Sequence, residues 1–268
     1  MDWALIAGGS KGLGFSIAKA LAKRKYNLIL VARDANDLSI AKSKLESSMV
    51  QVEILSYDLV LPGSDLKIAN WCLDKGLALK VLCNAAGYGG ANDYLSLPLT
   101  DLRTMIRINL ESAMGLSLLL LPMLQKSSPS FILNVGSIAG FAPFPEKNLY
   151  SATKSALILF SYSLRYQLKE KNISVSCLCP GPVFTKPSIE KETKDRLGWF
   201  GKQMAVAPDK VGEIAVRGML GGKVIIVPGR LSAMVSFLLR VLPAGFLADI
   251  FYFSGRKHRK RTFTRHQQ

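Results

Sequence analysis

A tyrosine and a lysine four residues apart are the pair of side chains in this sequence best suited to acid–base chemistry. Tyr150 and Lys154 fall in a stretch with helical spacing, so both side chains lie on one face of the predicted helix. An ammonium group beside a phenol stabilises the phenolate and therefore favours release of the phenol proton. Such a pair can exchange a proton with a reacting oxygen near neutral pH. The alternative is that Tyr150 only packs against its neighbours.

A glycine cluster near the start of the chain has the spacing of a phosphate-binding turn. Gly8, Gly12 and Gly14 follow directly after the apolar run at 3–7, and a helical pattern begins among them. Gly8 allows a tight turn, Gly12 lets the backbone approach a pyrophosphate, and Gly14 lets the helix pack close to the sheet. Phosphate oxygens would then meet free N–H groups at the helix N-terminus. This position in the chain favours a dinucleotide site over an ordinary turn.

The end of the second apolar run indicates which dinucleotide is bound. An acidic residue there would bind the ribose 2′-hydroxyl group, whereas a nearby arginine accommodates a 2′-phosphate. The sequence has Ala32 followed by Arg33, and Lys11 in the glycine cluster adds a second positive charge. These residues predict NADP(H) rather than NAD(H). The alternative is that both cations are only solvated loop charges.

The elements that must position these residues follow a simple alternation. Apolar runs of strand length occur at 3–7, 27–31, 52–59, 80–86, 130–135, 173–178 and 223–227, and helical patterns occur at 14–24, 34–45, 100–124, 149–170 and 209–220. Strands that alternate with helices form a parallel sheet covered on both faces. We therefore expect an α/β fold, a three-layer doubly wound parallel sheet of about seven strands, over residues 1–229. Residues 230–268 form an extension beyond it.

The composition excludes several other classes of protein. The 268 residues are 49% hydrophobic, which excludes a disordered chain. The two histidines both lie within the last eleven residues, which argues against a histidine-based metal site or a Ser-His-Asp triad, and we expect no metal. Cys72, Cys83, Cys177 and Cys179 lie in apolar stretches, as expected for core residues in a reducing compartment. The net charge of +16 suits an anionic cofactor, an anionic membrane or nucleic acid.

Seven motifs occur in an order that resembles one family. They are Gly8-x3-Gly12-x-Gly14, Asp58-Leu59, Asn84-Ala-Ala-Gly87, Asn109, Ser137, Tyr150-x3-Lys154, and Pro180-Gly181 with Thr185. With these motifs the chain resembles the short-chain dehydrogenase/reductase family, in its single-domain branch, from Trp3 to about Gly229. The resemblance implies a Rossmann fold. Ala7 and Ala85 depart from the family pattern, which often has Thr and Asn at these positions.

The resemblance implies a catalytic role for four residues. Tyr150 would be the general acid in carbonyl reduction, or the base in alcohol oxidation, and Ser137 would hydrogen-bond the substrate oxygen. Lys154 would hold the nicotinamide ribose and tune Tyr150. Asn109 would position a water that connects Lys154 to solvent, although a purely structural tie between helix and loop is the alternative.

The resemblance also implies a set of cofactor-binding residues. The glycine turn would contribute Gly8, Ser10, Lys11, Gly12, Leu13 and Gly14, and Arg33 would bind the 2′-phosphate. Asp58 and Leu59 would contact the adenine, while Asn84, Ala85, Ala86 and Gly87 would pack along the adenosine ribose. Pro180, Gly181, Val183 and Thr185 would hold the nicotinamide carboxamide, next to Tyr150 and Lys154.

The resemblance also implies that two regions line the substrate pocket, and both are apolar here. Residues 138–145 and the segment with Trp199, Phe200 and Met204 offer aromatic and aliphatic surface, which favours an apolar carbonyl or alcohol substrate. Trp199 and Phe200 as mere anchors of a loop are the alternative.

The extension at 231–253 has the pattern of two short amphipathic helices, broken at Pro243-x-Gly245 and followed by a basic cluster at 256–261. Charges within it disfavour a membrane span. It could cover the substrate pocket, form a subunit interface, or lie on an anionic membrane through residues 231–265. Packing on the core with a free basic tail is the remaining alternative.

Taken together, the sequence predicts an NADP(H)-dependent oxidoreductase that interconverts a carbonyl and an alcohol on an apolar substrate. A catalytically silent NADP-binding sensor or scaffold of the same fold is the alternative. We expect a homodimer or homotetramer, a cytoplasmic location with possible peripheral membrane contact, and no nucleic-acid partner, because the basic tail lacks interleaved aromatic residues and a recognisable binding module.

Overall fold

Seven parallel strands form one sheet in the order β3-β2-β1-β4-β5-β6-β7. The computed structural model describes residues 2–89, 94–185, 193, 199 and 201–253. The strands are β1 (Trp3–Ala7), β2 (Asn27–Ala32), β3 (Val52–Ser56), β4 (Leu79–Asn84), β5 (Ser130–Val135), β6 (Ile173–Leu178) and β7 (Ile225–Ile226). All the pairings are parallel. The order reverses direction between β1 and β4, so a crevice opens there at the carboxyl ends of the strands.

Helices cover both faces of the sheet. They are α1 (Gly12–Ala22), α2 (Ala35–Leu45), α3 (Ser64–Asp74), α4 (Leu99–Ile106), α5 (Ser112–Leu119), α6 (Leu121–Lys126), α7 (Asn148–Gln167), α8 (Pro208–Leu220) and α9 (Arg230–Val241). Residues 244–253 are also helical. Adjacent strand residues face opposite sides: Ile6 packs in a core with Ile17 of α1, whereas Leu5 packs in a second core with Ile68 of α3. The predicted three-layer, doubly wound α/β fold is confirmed.

Two predicted strands end earlier than the apolar runs suggested. β3 ends at Ser56 rather than at 59, and β4 ends at Asn84 rather than at 86. The apolar residues beyond these ends leave the sheet and line its carboxyl edge. Hydrophobicity alone does not separate a residue buried in a strand from one buried in the adjoining turn.

The long helix predicted at 100–124 is divided into several pieces. A π-helical turn (Arg107–Glu111) joins α4 to α5, and α6 begins afresh at Leu121 with a proline in its first turn. Proline cannot donate the backbone hydrogen bond that a continuous helix needs, but it is tolerated in the first turn. The division therefore follows from Pro122 at one point and from the π-helical turn around Asn109 at the other.

The C-terminal extension packs against the sheet domain. Leu239 of α9 and Leu247 of the following helix are both buried in a small apolar cluster with Ala142. None of the helices in the described residues combines the length and apolarity needed to cross a bilayer. The division of the chain at residue 229 stays a prediction.

A close helix contact generates the first testable prediction. A β-carbon added at Gly212 of α8 would overlap the Ser16 carbonyl oxygen of α1, which is rigid backbone. We therefore expect Gly212→Ala to lower the free energy of unfolding by about 1–3 kcal/mol, because α8 must move away from α1. Urea denaturation measures the change.

Gly245→Ala is the matched control. Gly245 is also helical, but a β-carbon added there would have no atom within 4 Å. This variant should be neutral or slightly stabilising, since alanine favours helix. Equal urea midpoints of unfolding for the two variants would contradict the close contact between α8 and α1 at Gly212.

Candidate active site

A large cavity lies at the carboxyl edge of the sheet and brings most of the predicted site residues together. Its volume is about 1430 Å³. It is lined by Gly8, Ser10, Lys11, Gly12, Leu13, Gly14, Arg33, Asp58, Leu59, Ala85, Ala86, Gly87, Ser137, Tyr150, Lys154, Pro180, Gly181, Val183 and Thr185. These residues are far apart in sequence, but they follow strands that end at the same edge. Of the predicted set, Asn84 and Asn109 do not line this cavity.

The glycine turn is shaped by backbone contacts that leave no room for side chains. Gly8 has φ of +83°, and a β-carbon there would lie 2.7 Å from the Ala86 nitrogen. A β-carbon on Gly14 would overlap the Gly8 carbonyl oxygen and lie 3.3 Å from the Ala85 β-carbon. The alanine at position 85 is therefore in close contact with the turn. α1 begins here with no side-chain cap, so its first N–H groups suit an anionic group.

Cations lie along the same end of the cavity, and one of them is paired. Arg33, Lys11 and Lys44 all line the cavity. The Lys11 ammonium lies 2.6 Å from the Asp37 carboxylate, and this hydrogen bond raises the pKa of Lys11. Sequence reasoning missed Asp37 and Lys44. Asp37 follows Asp34, which accepts the Asp37 N–H as an N-cap, so this carboxylate resembles an ordinary helix-start residue.

Lys154 is an ammonium group buried inside the domain. It is 3% exposed, and its Nζ donates to the Val135 carbonyl oxygen at 2.7 Å. Burial lowers the pKa of Lys154 to about 8. Its Nζ lies 5.8 Å from the centre of the Tyr150 ring, as expected for residues four apart on α7. The Lys154 ammonium is therefore close enough to influence the phenol electrostatically.

Ser137 is held against α7 by a short 3-10 helix (Ile138–Phe141). The Ser137 hydroxyl accepts the Ala139 N–H at 3.1 Å and caps this helix. Gly140 lies directly on α7, where a β-carbon would come within 2.9 Å of the Lys154 carbonyl oxygen. Gly140 therefore sets the distance between the Ser137 segment and the Tyr150 helix. Sequence reasoning missed this role, although a glycine three residues after Ser137 was a usable signal.

Asn109 joins three elements behind the cavity. Its Oδ1 accepts the Tyr88 N–H at 2.7 Å, while its Nδ2 donates to the Tyr88 carbonyl at 2.9 Å and to the Thr153 hydroxyl at 3.1 Å. A β-carbon on Gly87 would lie 3.5 Å from the Asn109 Oδ1 and 3.6 Å from the Lys154 Nζ. Asn109 thus ties the turn after β4 to α7, beside the Lys154 ammonium. π-helical turns of this kind often occur at functional sites.

Asn84 was predicted to pack along the adenosine ribose, and it does not line the cavity. Its Nδ2 donates to Asn134, Ser117 and the Ala113 carbonyl in the protein interior. Asn84 is the last residue of β4, and the alternation of the strand turns it inward. The turn residues Ala85, Ala86 and Gly87 line the cavity instead.

The other end of the cavity is mainly apolar. Ile138, Phe144, Met204 and Phe251 line it, and the centroids of the Phe144 and Phe251 rings lie 4.2 Å apart. The charged Glu146 and Lys147, which follow Phe144 in sequence, also line the cavity. Trp199 is 74% exposed and does not line the cavity. Phe200 lies outside the described residues. No cluster of histidine, cysteine or acidic side chains suited to a metal ion occurs in the ranges that the structure describes.

Comparisons with known proteins indicate one family. A family model described as short chain dehydrogenase matches residues 2–196. The chain is 32% identical over 201 residues to the very-long-chain 3-oxoacyl-CoA reductase of Mus musculus, covering 73% of this chain and 64% of that one. The chain thus spans just under two thirds of this relative's length.

Two solved structures share the fold. One is a short-chain dehydrogenase from Sphingobium yanoikuyae in complex with NADPH, with a TM-score of 0.75 and 23% identity over 91% of this chain and 97% of that one. The other is the bulky-bulky ketone specific alcohol dehydrogenase from Comamonas testosteroni, with a TM-score of 0.76 and 22% identity over 89% and 90% of the two chains.

The buried ammonium makes stability depend on pH. The pKa of Lys154 is about 8 in the folded protein and 10.5 for the free side chain. The unfolded chain therefore binds more protons between these values, so burial of the charge costs about 3 kcal/mol at neutral pH and less as the pH rises from 8 towards 10.5. Lys154→Met removes this cost but leaves the Val135 carbonyl without its partner, which costs about 1 kcal/mol.

We expect Lys154→Met to raise the free energy of unfolding by about 1–3 kcal/mol at pH 7 and to lose this advantage above pH 8. Chemical denaturation at several pH values measures the effect. Lys169→Met replaces an exposed lysine just after α7 and serves as the control. A destabilised Lys154→Met protein, or a gain that persists unchanged to pH 10, would contradict the assignment.

Proposed function

The chain belongs to the short chain dehydrogenase family, and we propose that it is an NADP(H)-dependent oxidoreductase that interconverts a carbonyl and an alcohol on a large apolar substrate. The observation that carries this proposal is the meeting of Tyr150, Ser137 and Lys154 with the glycine turn in one cavity. Proton-transfer groups and a phosphate-binding turn thus face the same space.

The cavity fits a dinucleotide at its polar end. The glycine turn offers backbone N–H groups at the start of α1, where β-carbons would collide with neighbouring backbone. Arg33, Lys11 and Lys44 supply positive charge where a 2′-phosphate would lie. The NADPH bound to the relative from Sphingobium yanoikuyae supports this assignment. When bound, the nicotinamide supplies or accepts the hydride.

The side chains of the protein then hydrogen-bond the substrate oxygen and transfer a proton to or from it. In reduction, Tyr150 donates its proton to the substrate oxygen, and the Ser137 hydroxyl hydrogen-bonds that oxygen and polarises the carbonyl. Lys154 stabilises the resulting phenolate from its buried position on the same helix face. Asn109 holds the turn at Gly87 and α7 at a fixed distance around the Lys154 ammonium. In oxidation the same groups act in the opposite direction.

The apolar end of the cavity sets the substrate class. Ile138, Phe144, Met204 and Phe251 would contact the body of the substrate through apolar surface. The very-long-chain 3-oxoacyl-CoA reductase and the bulky ketone dehydrogenase among the similar proteins carry names that favour a ketone with a long or bulky apolar body. A 3-oxoacyl chain has the ketone that this chemistry needs and an apolar body for these side chains, and it would share the cavity of about 1430 Å³ with the dinucleotide.

The proposal includes a homo-oligomer. Leu118 of α5 and Leu159 of α7 are exposed apolar residues. The family resemblance assigns subunit contacts to the helices that hold Asn109 and Tyr150, so these side chains are candidates for burial between subunits. Light scattering of the purified protein measures the number of subunits.

Tyr150→Phe tests the chemistry. Removal of the hydroxyl deletes the proton donor, so we expect kcat to fall by about 10²–10⁴-fold on any ketone that the unaltered enzyme reduces. NADPH affinity should stay within about twofold, because the ring and Lys154 remain. Loss of NADPH absorbance and fluorescence titration measure the two quantities.

Tyr166→Phe is the matched control for this test. Tyr166 lies on the same helix and is exposed, so its hydroxyl should not matter for turnover. Wild-type turnover by Tyr150→Phe would refute the mechanism. If the unaltered protein binds NADPH but reduces no ketone, aldehyde or acyl-chain carbonyl, the silent sensor is the better description.

Two substitutions test the cofactor preference. Arg33→Ala should weaken NADPH binding by about tenfold or more and leave NADH binding nearly unchanged, because a charge-assisted hydrogen bond to the 2′-phosphate is lost. Asp37→Asn should strengthen NADPH binding by about two- to fivefold, since Lys11 loses its competing carboxylate. The effect of Asp37→Asn should shrink in high salt. Tighter binding of NADH than of NADPH by the unaltered protein would overturn the cofactor assignment.

A further inference from the structure

Helix α9, the first helix of the C-terminal extension, has its apolar side facing outwards. Its polar Ser232 and Ser236 are buried against the domain, together with Leu239 one turn later. The opposite side carries Met234, Phe237, Leu238 and Val241 at helical spacing, and Phe237 is 59% exposed. A helix on the surface of a water-soluble domain normally has the reverse arrangement.

The buried serines have a packing reason. The Ser232 hydroxyl donates to the Met204 carbonyl oxygen at 3.3 Å. A β-carbon added at Gly181 would lie 2.5 Å from that hydroxyl oxygen, so α9 comes very close to the turn after β6. Arg240 lies over the Phe141 ring at 5.2 Å, which turns its charge towards the domain and away from the apolar side.

The helix at 244–253 extends the same apolar surface. It buries Leu247 in the cluster that also holds Leu239 of α9, so both helices pack on one segment of the domain. Asp249 is the one acidic residue between 230 and 253, and it is exposed on the outer side of this helix, three residues after Phe246 and four before Phe253. We call the exposed apolar side of both helices the C-terminal apolar surface, which comprises Met234, Phe237, Leu238, Val241, Leu242, Phe246, Ile250, Tyr252 and Phe253.

This surface adjoins the apolar end of the cavity. Phe251 belongs to the same helix as Phe246 and Ile250, but it points inwards, contacts the Phe144 ring and lines the cavity. The C-terminal apolar surface is therefore separated from the cavity by the thickness of one helix. The helix at 244–253 therefore presents apolar side chains both to the outside of the protein and to the cavity.

The sequence that follows carries positive charge. Arg256, Lys257, Arg259, Lys260, Arg261 and Arg265 lie within fifteen residues of the end of the helix, with no acidic residue among them. A second copy docked on this same surface would bring these six positive charges of the two chains close together. An anionic lipid surface complements both the charge and the apolar side chains, and phenylalanine and tyrosine are favoured at that depth.

We propose that the C-terminal apolar surface docks on an anionic lipid bilayer, with the basic cluster at the headgroups and the apolar end of the cavity next to the lipid. In this arrangement the described C-terminal helices lie on the bilayer surface, because none of the described helices is long and apolar enough to cross it. Docking in this orientation delivers membrane-dissolved substrates to the cavity past Phe251, and this last step rests on the proposed function.

Vesicle binding tests the docking directly. The full-length protein should sediment with vesicles of phosphatidylcholine and phosphatidylglycerol, bind much less to phosphatidylcholine alone, and lose binding as salt rises. Phe237→Gln combined with Phe246→Gln should weaken binding to the mixed vesicles by about tenfold or more, because two exposed phenylalanines no longer enter the lipid.

A double variant on α3 is the matched control. Leu66 and Leu73 are 49% and 48% exposed and lie on α3, away from this surface, so Leu66→Gln with Leu73→Gln should bind vesicles as the unaltered protein does. Equal binding by both double variants, or absent binding by the unaltered protein, would overturn the proposal. An oligomer that dissociates in the Phe237/Phe246 variant would identify a second copy as the occupant and would also overturn it.

A second readout separates docking from catalysis. Phe237 and Phe246 do not line the cavity, so their double variant should reduce a short water-soluble ketone normally. On a long-chain ketone dissolved in the vesicles, the turnover rate of the double variant should be several-fold lower than that of the unaltered protein. If the unaltered protein reduces neither ketone but binds the vesicles, the proposed function fails while docking stands. Equal turnover of the vesicle ketone by both proteins would refute delivery through this surface.

Discussion

The hydrogen bond from the Lys154 ammonium to the Val135 carbonyl oxygen is the contact on which the arrangement of the active site depends. It joins the end of β5 to α7 at a place where the lysine is 3% exposed, and a buried ammonium group is costly unless it is paired. Ser137 follows β5 by two residues, and Tyr150 precedes Lys154 by one helical turn. The bond therefore brings the proposed proton donor and the hydroxyl that polarises the carbonyl to the same side of the cavity. Gly140 permits this approach because it has no side chain to hold the two segments apart.

The cofactor end of the cavity depends on a different constraint, the near absence of side-chain volume. Gly8 and Gly14 contact each other and the turn after β4 so closely that a single β-carbon would displace backbone. Ala85 fits beside Gly14, where a larger side chain would have to point away. The same close packing recurs where Gly212 of α8 meets α1. The first helix is thereby held from both sides, and its N-terminus is directed at the cavity.

Much of the fold could be predicted from sequence, because strand and helix periodicities are local properties. The apolar run at 27–31 and the helical pattern at 34–45, for example, correspond closely to β2 and α2. The direction of a side chain at a strand end is not a local property, so the sequence could not show that the Asn84 side chain donates to Asn134 in the interior. The Lys11–Asp37 pair was also missed, since it depends on how α2 meets the glycine turn in space.

In the C-terminal helices, too, the sequence predicted the helical pattern but not the direction of the side chains. Periodicity predicted an amphipathic helix here, but not that Ser232 and Ser236 on its polar side would face the domain. A buried serine contributes less hydrophobic stabilisation than a buried leucine. Because the Ser232 side chain is small, however, α9 packs closer to Gly181 than a larger side chain would allow. Gly181 lines the cavity, so the position of α9 and the shape of the cofactor end are mechanically linked. A molecule that binds the outer side of α9 therefore contacts a helix whose inner side packs against Gly181, which lines the cavity.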